Sequence, residues 1–506
     1  MNRYRVIVIF VLGCFVCGYN TLDILNAQEL PRKENFWLES SNPAGIRQDT
    51  SVTKEAEAEL FANISSGGFH KTYEASKPWT AGARAYGLVH LKGFSMQGSF
   101  SFEQMQGDDM CGSMLLRPDF YPLDVMEFTP GRKIRQSYAF DGAISVDLSS
   151  EWRAGAGIDF CSSNYSKRKD LRYSNYILDI TVAPAVVWHR NDLSVGFNLL
   201  LRKTSETPVA KQIGSKENYY AFLDKGLMYG KYELWEGSGV HLSDPGVNGF
   251  PINDLTYGAA VQIQKNGFYA AAEYRYRKGT AGEKQQQWFY FPQNSIGLDL
   301  AQTWMPGDVL HCVKLGLEAS ELKNYENVLE KYSEGGITYY ETLSSNKILS
   351  SVDVSADLSY SLKDSLNEFE ASLNVSNRNA VSSQMYPFAF SQDLFRFNIG
   401  LFYLRHISRF DLSAILSYRD GICSESQTMV TENSGVQTTP FRLDEWYNLD
   451  MDYKTASALT AGLGLRYNFA KNLFLSLDCN YTKAFSLKYL EGSYRVTSEL
   501  KFGYKF

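Results

Sequence analysis

The chain ends Tyr494-Arg495-Val496-Thr497-Ser498-Glu499-Leu500-Lys501-Phe502-Gly503-Tyr504-Lys505-Phe506, and the alternation in this stretch decides the fold. Tyr494, Val496, Leu500, Phe502, Tyr504 and Phe506 share one face, and Arg495, Thr497, Glu499, Lys501 and Lys505 share the other. Successive side chains of a strand point to opposite faces, so the segment carries one apolar wall and one charged wall. A soluble sandwich turns such an apolar wall to its core, and a membrane barrel turns it to lipid. The remainder of the chain chooses between them.

Working back from the C-terminus, seventeen more segments read the same way, from Ala56–Ile64, Trp79–Leu91 and Phe94–Phe102 to Phe410–Tyr418, Leu459–Phe469 and Leu473–Tyr481. Most exceed the usual globular strand of about 5 to 6 residues and suit a tilted membrane strand. Tight turns such as 149–151, 189–191, 265–266, 305–307, 363–365, 406–408 and 470–472 alternate with long stretches near 105–135, 203–253, 321–347, 379–393 and 420–454. Short turns at one end and long loops at the other mark an outer-membrane barrel, with the turns periplasmic and the loops extracellular. The expectation is an all-β fold: a single closed antiparallel transmembrane β-barrel of about 18 strands over residues 55–506, with 16 as the fallback. Closure satisfies every backbone group that lipid cannot.

Composition agrees. Aromatic residues make up 14% of the 506 residues, and no apolar run of membrane-helix length follows residue 27. The basic residues Arg3 and Arg5, the apolar run Val6–Cys17 and the small Ala27 read as a signal peptide over 1–27, which implies export. Residues 28–54 show no period of two and are expected to form a periplasmic lead-in or a small plug. A net charge of −6 gives no nucleic-acid footprint. Cys111, Cys161, Cys312, Cys423 and Cys479 stand apart, with no spacing for a disulfide framework or a metal site. They read as small hydrophobes.

The charged face must line the lumen, because Arg or Lys in hydrocarbon costs about 2–4 kcal/mol at mid-depth. Candidate lumen-lining residues are Arg153, Asp159, Glu273, Arg275, Arg277, Asp353, Asp357, Arg396, Arg466, Arg495 and Glu499. Their mixed signs argue against strong selectivity for one sign of charge. Trp152, Trp188, Trp304, Tyr467, Phe469 and Tyr504 suit interfacial girdles. Gly155 and Gly157 read as relief of crowding in the wall. The chain carries no nucleophile elbow, zinc-protease or phosphate-loop motif, so no enzyme, cofactor or metal is expected. Neither His-x-Ser pair, His241/Ser243 or His406/Ser408, lies mid-strand, and the sequence assigns neither an orienting third group for a catalytic dyad.

The terminal Tyr504-Lys505-Phe506 resembles the C-terminal signature by which outer-membrane proteins are received for insertion, which implies the barrel-assembly machinery as a partner alongside outer-membrane lipid. Asn42-Pro43-Ala44-Gly45-Ile46 resembles a stretch of FadL-like and PorV-like barrels, in which it belongs to an N-terminal hatch. The resemblance makes Asn42, Pro43, Ala44 and Gly45 the candidate plug. The whole chain looks most like uncharacterised outer-membrane β-barrel proteins of Bacteroidota and is short for a TonB-dependent receptor with its plug. The polar lumen face puts a channel for small hydrophilic solutes first, with a FadL-like carrier of hydrophobic compounds or a scaffold for surface or secretion partners as the alternatives. The transported solute is not legible.

Overall fold

The computed structural model describes residues 36–48, 53–211, 213, 220–227, 232–236, 249–283, 286–385, 388–428, 443–470 and 472–506. The expected signal peptide 1–27, residues 28–35 and 49–52 of the lead-in, the pair His241/Ser243 and Lys471 lie outside them. Among the described residues twenty strands form one sheet. The first seven are β1 (Lys54–Ser66), β2 (Trp79–Leu91), β3 (Phe94–Ser113), β4 (Asp124–Asp147), β5 (Trp152–Lys167), β6 (Arg172–Arg190) and β7 (Leu193–Lys211). A short hairpin, β8 (Tyr220–Asp224) and β9 (Tyr232–Glu236), lies in the next connection and pairs with the end of β4. Then come β10 (Ile252–Lys265), β11 (Phe268–Glu283), β12 (Gln286–Trp304), β13 (Leu310–Glu334), β14 (Ile337–Lys363) and β15 (Asn367–Met385). The last five are β16 (Phe388–Ile407), β17 (Phe410–Thr428), β18 (Ser457–Asn468), β19 (Leu473–Phe485) and β20 (Tyr494–Lys505).

Setting the β8–β9 hairpin aside leaves eighteen strands, each antiparallel to the next, with β7 joined to β10 and β20 returning to β1. The closing seam runs from Glu57 opposite Lys505 to Ser66 opposite Val496, so the ring has no edge. Each of the eighteen segments legible in the sequence is one wall strand. The even count brings both ends of the wall to the short-turn rim. At that rim Asn266 and Gly267 both take positive φ, the backbone a two-residue hairpin needs to follow strand twist.

Alternation sorts the side chains as the pattern implied. Leu463 is 72% exposed, and Leu60 and Ile296 are 61% exposed, on the outer face. Neighbours one position along, such as Arg466 beside Leu465 and Arg495 beside Tyr494, point inward. Apolar exposure on this scale marks a surface built for lipid. Trp152 pairs with Trp188 near the short-turn rim, and Phe410 stacks on Tyr467 there at 4.8 Å.

The expected loops are shorter than the sequence pattern indicated. β13 and β14 pair through the whole of 321–347, turning only at Gly335–Gly336, and β15 and β16 nearly meet across 379–393. Strands thus reach 25 and 27 residues. Beyond the bilayer both faces of a strand meet water, so the period-two signal vanishes while backbone pairing continues. Hydropathy sees only the membrane-embedded part.

Among the described residues the buried apolar side chains form several clusters rather than a single core. Helix α1 (Phe36–Glu39) and a 3-10 turn (Pro43–Gln48) lie inside the ring near the short-turn rim. Residues 114–123 and helix α2 (Leu443–Thr455) fold inward nearer the other end, where Met114, Leu115, Tyr121, Phe250, Phe289 and Phe291 form a buried apolar cluster.

Candidate lumen site

Three inner-wall glycines shape the socket for residues 36–48. A Cβ at Gly155 would collide with the backbone of Pro43 and Ala44, one at Gly157 would touch Pro43, and one at Gly196 would lie 2.7 Å from both Asn42 and Trp37. The crowding that Gly155 and Gly157 relieve therefore comes from this segment as well as from the wall. Asn42 is 1% exposed; its amide donates to Gln262 (2.9 Å), and its side-chain oxygen accepts from the Ala44 N–H (3.0 Å). Pro43, Ala44 and Gly45 are likewise buried. Arg47 makes a bidentate pair with Asp147 (2.8 and 2.7 Å), and Arg153 donates to the Arg47 carbonyl at 3.0 Å. Ser41 donates to Glu273 (3.1 Å), and Lys314 reaches Glu39 (2.6 Å).

All eleven candidate lumen residues sit on the inner face, opposite the exposed apolar rows, but they fall into different neighbourhoods. Arg153 and Glu273 hold the 36–48 segment, and Arg275 joins Glu273 (2.8 Å) to Glu318 (3.5 Å). Arg277 binds Asp254 (2.9 Å) and donates to the Phe120 carbonyl (3.0 Å). Arg466 lies over the Phe474 ring and 3.6 Å from Glu57. Glu499 takes Lys501 at 2.8 Å, and Arg495 reaches the Ala75 carbonyl at 3.4 Å. Asp353 faces Arg378 (3.6 Å), and Asp357 accepts from Asn374. Asp159 stands directly across from Asp141 on β4, and Arg396 lies among Asp119, Arg378, Asp353 and Arg419.

Residues 114–123, not foreseen from alternation, form a strap that runs through the lumen. Its Leu116 N–H donates to Glu206 (2.6 Å), and Asn175 donates to the Met114 carbonyl (2.9 Å). Arg117 binds Asp179 on β6 (2.9 Å), which Arg202 also holds. Two residues on, Asp119 meets Lys454 of α2 at 3.2 Å. The Lys454 ammonium holds the Asp119 carboxyl down at about 2. Burial would lower Lys454, but Asp119 and Asp450 outweigh it and hold the amine up at about 12. The Phe120 ring lies 4.1 Å from the Arg277 guanidinium and 4.5 Å from that of Arg117, within cation–π range. The signal was present in the sequence: Met114-Leu115-Leu116 and Phe120-Tyr121 are too apolar for a loop in water.

At the short-turn rim His406 pairs with Asp411 (2.7 Å), and Ser408 holds a positive φ in the turn. Among the described residues no group of His, Cys, Asp and Glu is arranged to hold a metal ion, and the five cysteines are unbridged.

A family model described as "Family of unknown function (DUF6850)" matches residues 43–506. No curated protein matches the chain. Among solved structures, it is similar to the siderophore receptor PiuA from Acinetobacter baumannii, with 10% identity and a TM-score of 0.40 over 89% of this chain and 82% of that one. It is also similar to the ferric enterobactin receptor PfeA from Pseudomonas aeruginosa, with 10% identity and a TM-score of 0.39 over 89% and 81%. The siderophore receptor PirA from Acinetobacter baumannii gives 9% and 0.40 over 90% and 81%. At this identity and overlap they bring no substrate to the present chain.

Proposed function

The chain belongs to this family of unknown function (DUF6850), and from its own geometry we propose that it is an outer-membrane conduit for small hydrophilic solutes with a lumen narrowed from both ends. The observation that carries this reading is the unequal filling of the ring. Hydrogen bonds and ion pairs of residues 36–48 reach β2–β7, β10, β11 and β13, while the charged groups Asp353, Asp357, Arg378 and Arg396 line β14–β16 and α2 packs over Arg419 on β17. A polar track beside a docked segment suits a restricted pore, since a ring of this size is wide enough for water. In this reading the eleven lumen residues line or brace the path, and Asn42, Pro43, Ala44 and Gly45 form the heart of a partial plug.

The exposed apolar belt supports a lipid setting, and the C-terminal strand that closes the ring is the element an assembly machinery would receive. The carrier reading has less support: among the described residues the buried apolar side chains fall into four separate clusters. The test is solute entry into liposomes containing the purified protein. A small sugar such as arabinose is expected to enter faster than through protein-free lipid; entry no faster than the lipid control would sink the conduit and favour a scaffold.

A further inference from the structure

The signs of the lumen charges are segregated across the barrel at the depth of the strap. On one side Asp141, Asp159 and Asp179 project inward from β4, β5 and β6. Asp141 and Asp159 are directly opposite in register, and Asp179 is diagonal to Asp159. On the other side Arg378, Arg396 and Arg419 project inward from β15, β16 and β17, each diagonal to the next. Counted round the ring of eighteen, β5 and β16 are nine strands apart in either direction, so the two groups face each other. Like charges placed directly across a strand pair destabilise a sheet, so the Asp141–Asp159 pair is a local cost to folding.

The strap fixes their relative depth. Arg117 holds Asp179 of the acidic side, while Asp119 meets Lys454 and lies within coulombic reach of Arg378 and Arg396. Two residues extend no more than about 7 Å, so both ladders lie at one level. Local ions leave each side charged. Arg202 balances one of the three carboxylates, and Asp353 balances one of the three guanidiniums, with Asp450 set against Lys454. Asp159 and Arg396 have no ion-pair partner among the described residues. The Nε of Arg378, Arg396 and Arg419 are each buried without an acceptor among the described residues, and of the three Arg419 is covered, donating through Nη2 to the Tyr453 carbonyl of α2 at 3.2 Å. Arg117 and Asp119 therefore sit in a transverse field with the polarity it favours: cation to the acidic wall and anion to the basic wall.

We propose that this constriction selects small zwitterionic solutes, which cross with their cationic end toward Asp141 and Asp159 and their anionic end toward Arg396 and Arg419. The strap's own ion couple occupies the same orientation and marks the geometry that such a solute takes as it passes. The assignment rests on the conduit reading above. A dipolar solute gains from both walls at once, whereas a net ion is drawn to one wall and repelled by the other.

Full-length protein in liposomes tests this with glycine betaine against erythritol, a neutral solute of similar mass, using osmotic swelling rates. The wild-type protein is expected to admit betaine about tenfold faster, the low end of what focused charge does for local concentration. Asp141→Asn with Asp159→Asn, and separately Arg396→Gln with Arg419→Gln, should each bring the ratio close to one while erythritol entry persists. In a salt gradient the first pair should shift the reversal potential toward anion preference and the second toward cation preference. The two pairs lie on opposite walls, so a folding defect in one leaves the other as a test. Equal entry of the two solutes into wild-type liposomes, or a preference unchanged in both variants, would overturn the zwitterion assignment and leave the conduit standing. No entry of either solute would overturn both.

Discussion

Leu463 and Thr460 lie on β18 with opposite surroundings. Leu463 is 72% exposed toward lipid, and Thr460 faces inward, its hydroxyl 2.9 Å from that of Thr482. Leu463→Arg should cost about 2–4 kcal/mol. Thr460→Arg should cost about 1 kcal/mol, the net worth of one lost hydrogen bond, because its guanidinium reaches lumen water. Denaturant titration of refolded protein measures both, and equal losses would refute the face assignment. Gly464 shares the inner face but is a poor comparator, since a Cβ there collides with Ser413 and Asp478. A second prediction concerns Glu127, which is fully buried between Lys133 (3.7 Å) and Lys167. Glu127→Gln strands two buried ammonium groups and should cost about 3–5 kcal/mol; a loss below about 1 kcal/mol would mean that water reaches the trio. The inward direction of Arg153 or Glu499 was legible from alternation alone, because one strand fixes it. Their partners were not, because Arg153 serves a segment more than a hundred positions away.

Among the elements, the strands embedded in lipid were read correctly, and the errors lie beyond the lipid. β14 has 27 residues, about 90 Å at 3.3 Å per residue, against an apolar belt about 25 Å tall. The surplus stands outside the membrane as a paired hairpin. Protease added to intact cells should therefore cut near Gly335–Gly336, at Lys331 or Lys347, and spare Lys265 in its tight turn; the reverse pattern would invert the topology. The strap makes a separate prediction. Asp119, depressed to about 2, adds stability that is complete above its ordinary 3.8 and lost as pH falls through 2. Lys454, raised to about 12, adds stability that is complete below its ordinary 10.5 and lost as pH rises through 12. This latch should hold the strap unchanged between about pH 4 and about pH 10. Lys454→Gln should increase current fluctuations at neutral pH, and a variant as quiet as the wild-type protein would show that the strap does not depend on this pair. The strap was hard to read because its apolar residues sit between two strands whose outer ends lack period two. A loop filling the lumen has no periodic signature.

At the scale of the whole molecule, strand count, closure and the shared rim of both ends of the wall followed from the number of alternating segments and the parity of tight turns. What fills the ring did not, apart from the irregular stretch around Asn42–Gly45, whose socket glycines were visible but read as a property of the wall. The filling is what separates an open pore from a restricted one. The most direct test is the planar-bilayer conductance of the full-length protein beside a variant lacking residues 36–48. A small sustained current is expected from the full-length protein and a larger one from the variant, with both inserting as barrels. Currents of the same size, or a variant that inserts and conducts less, would contradict that expectation.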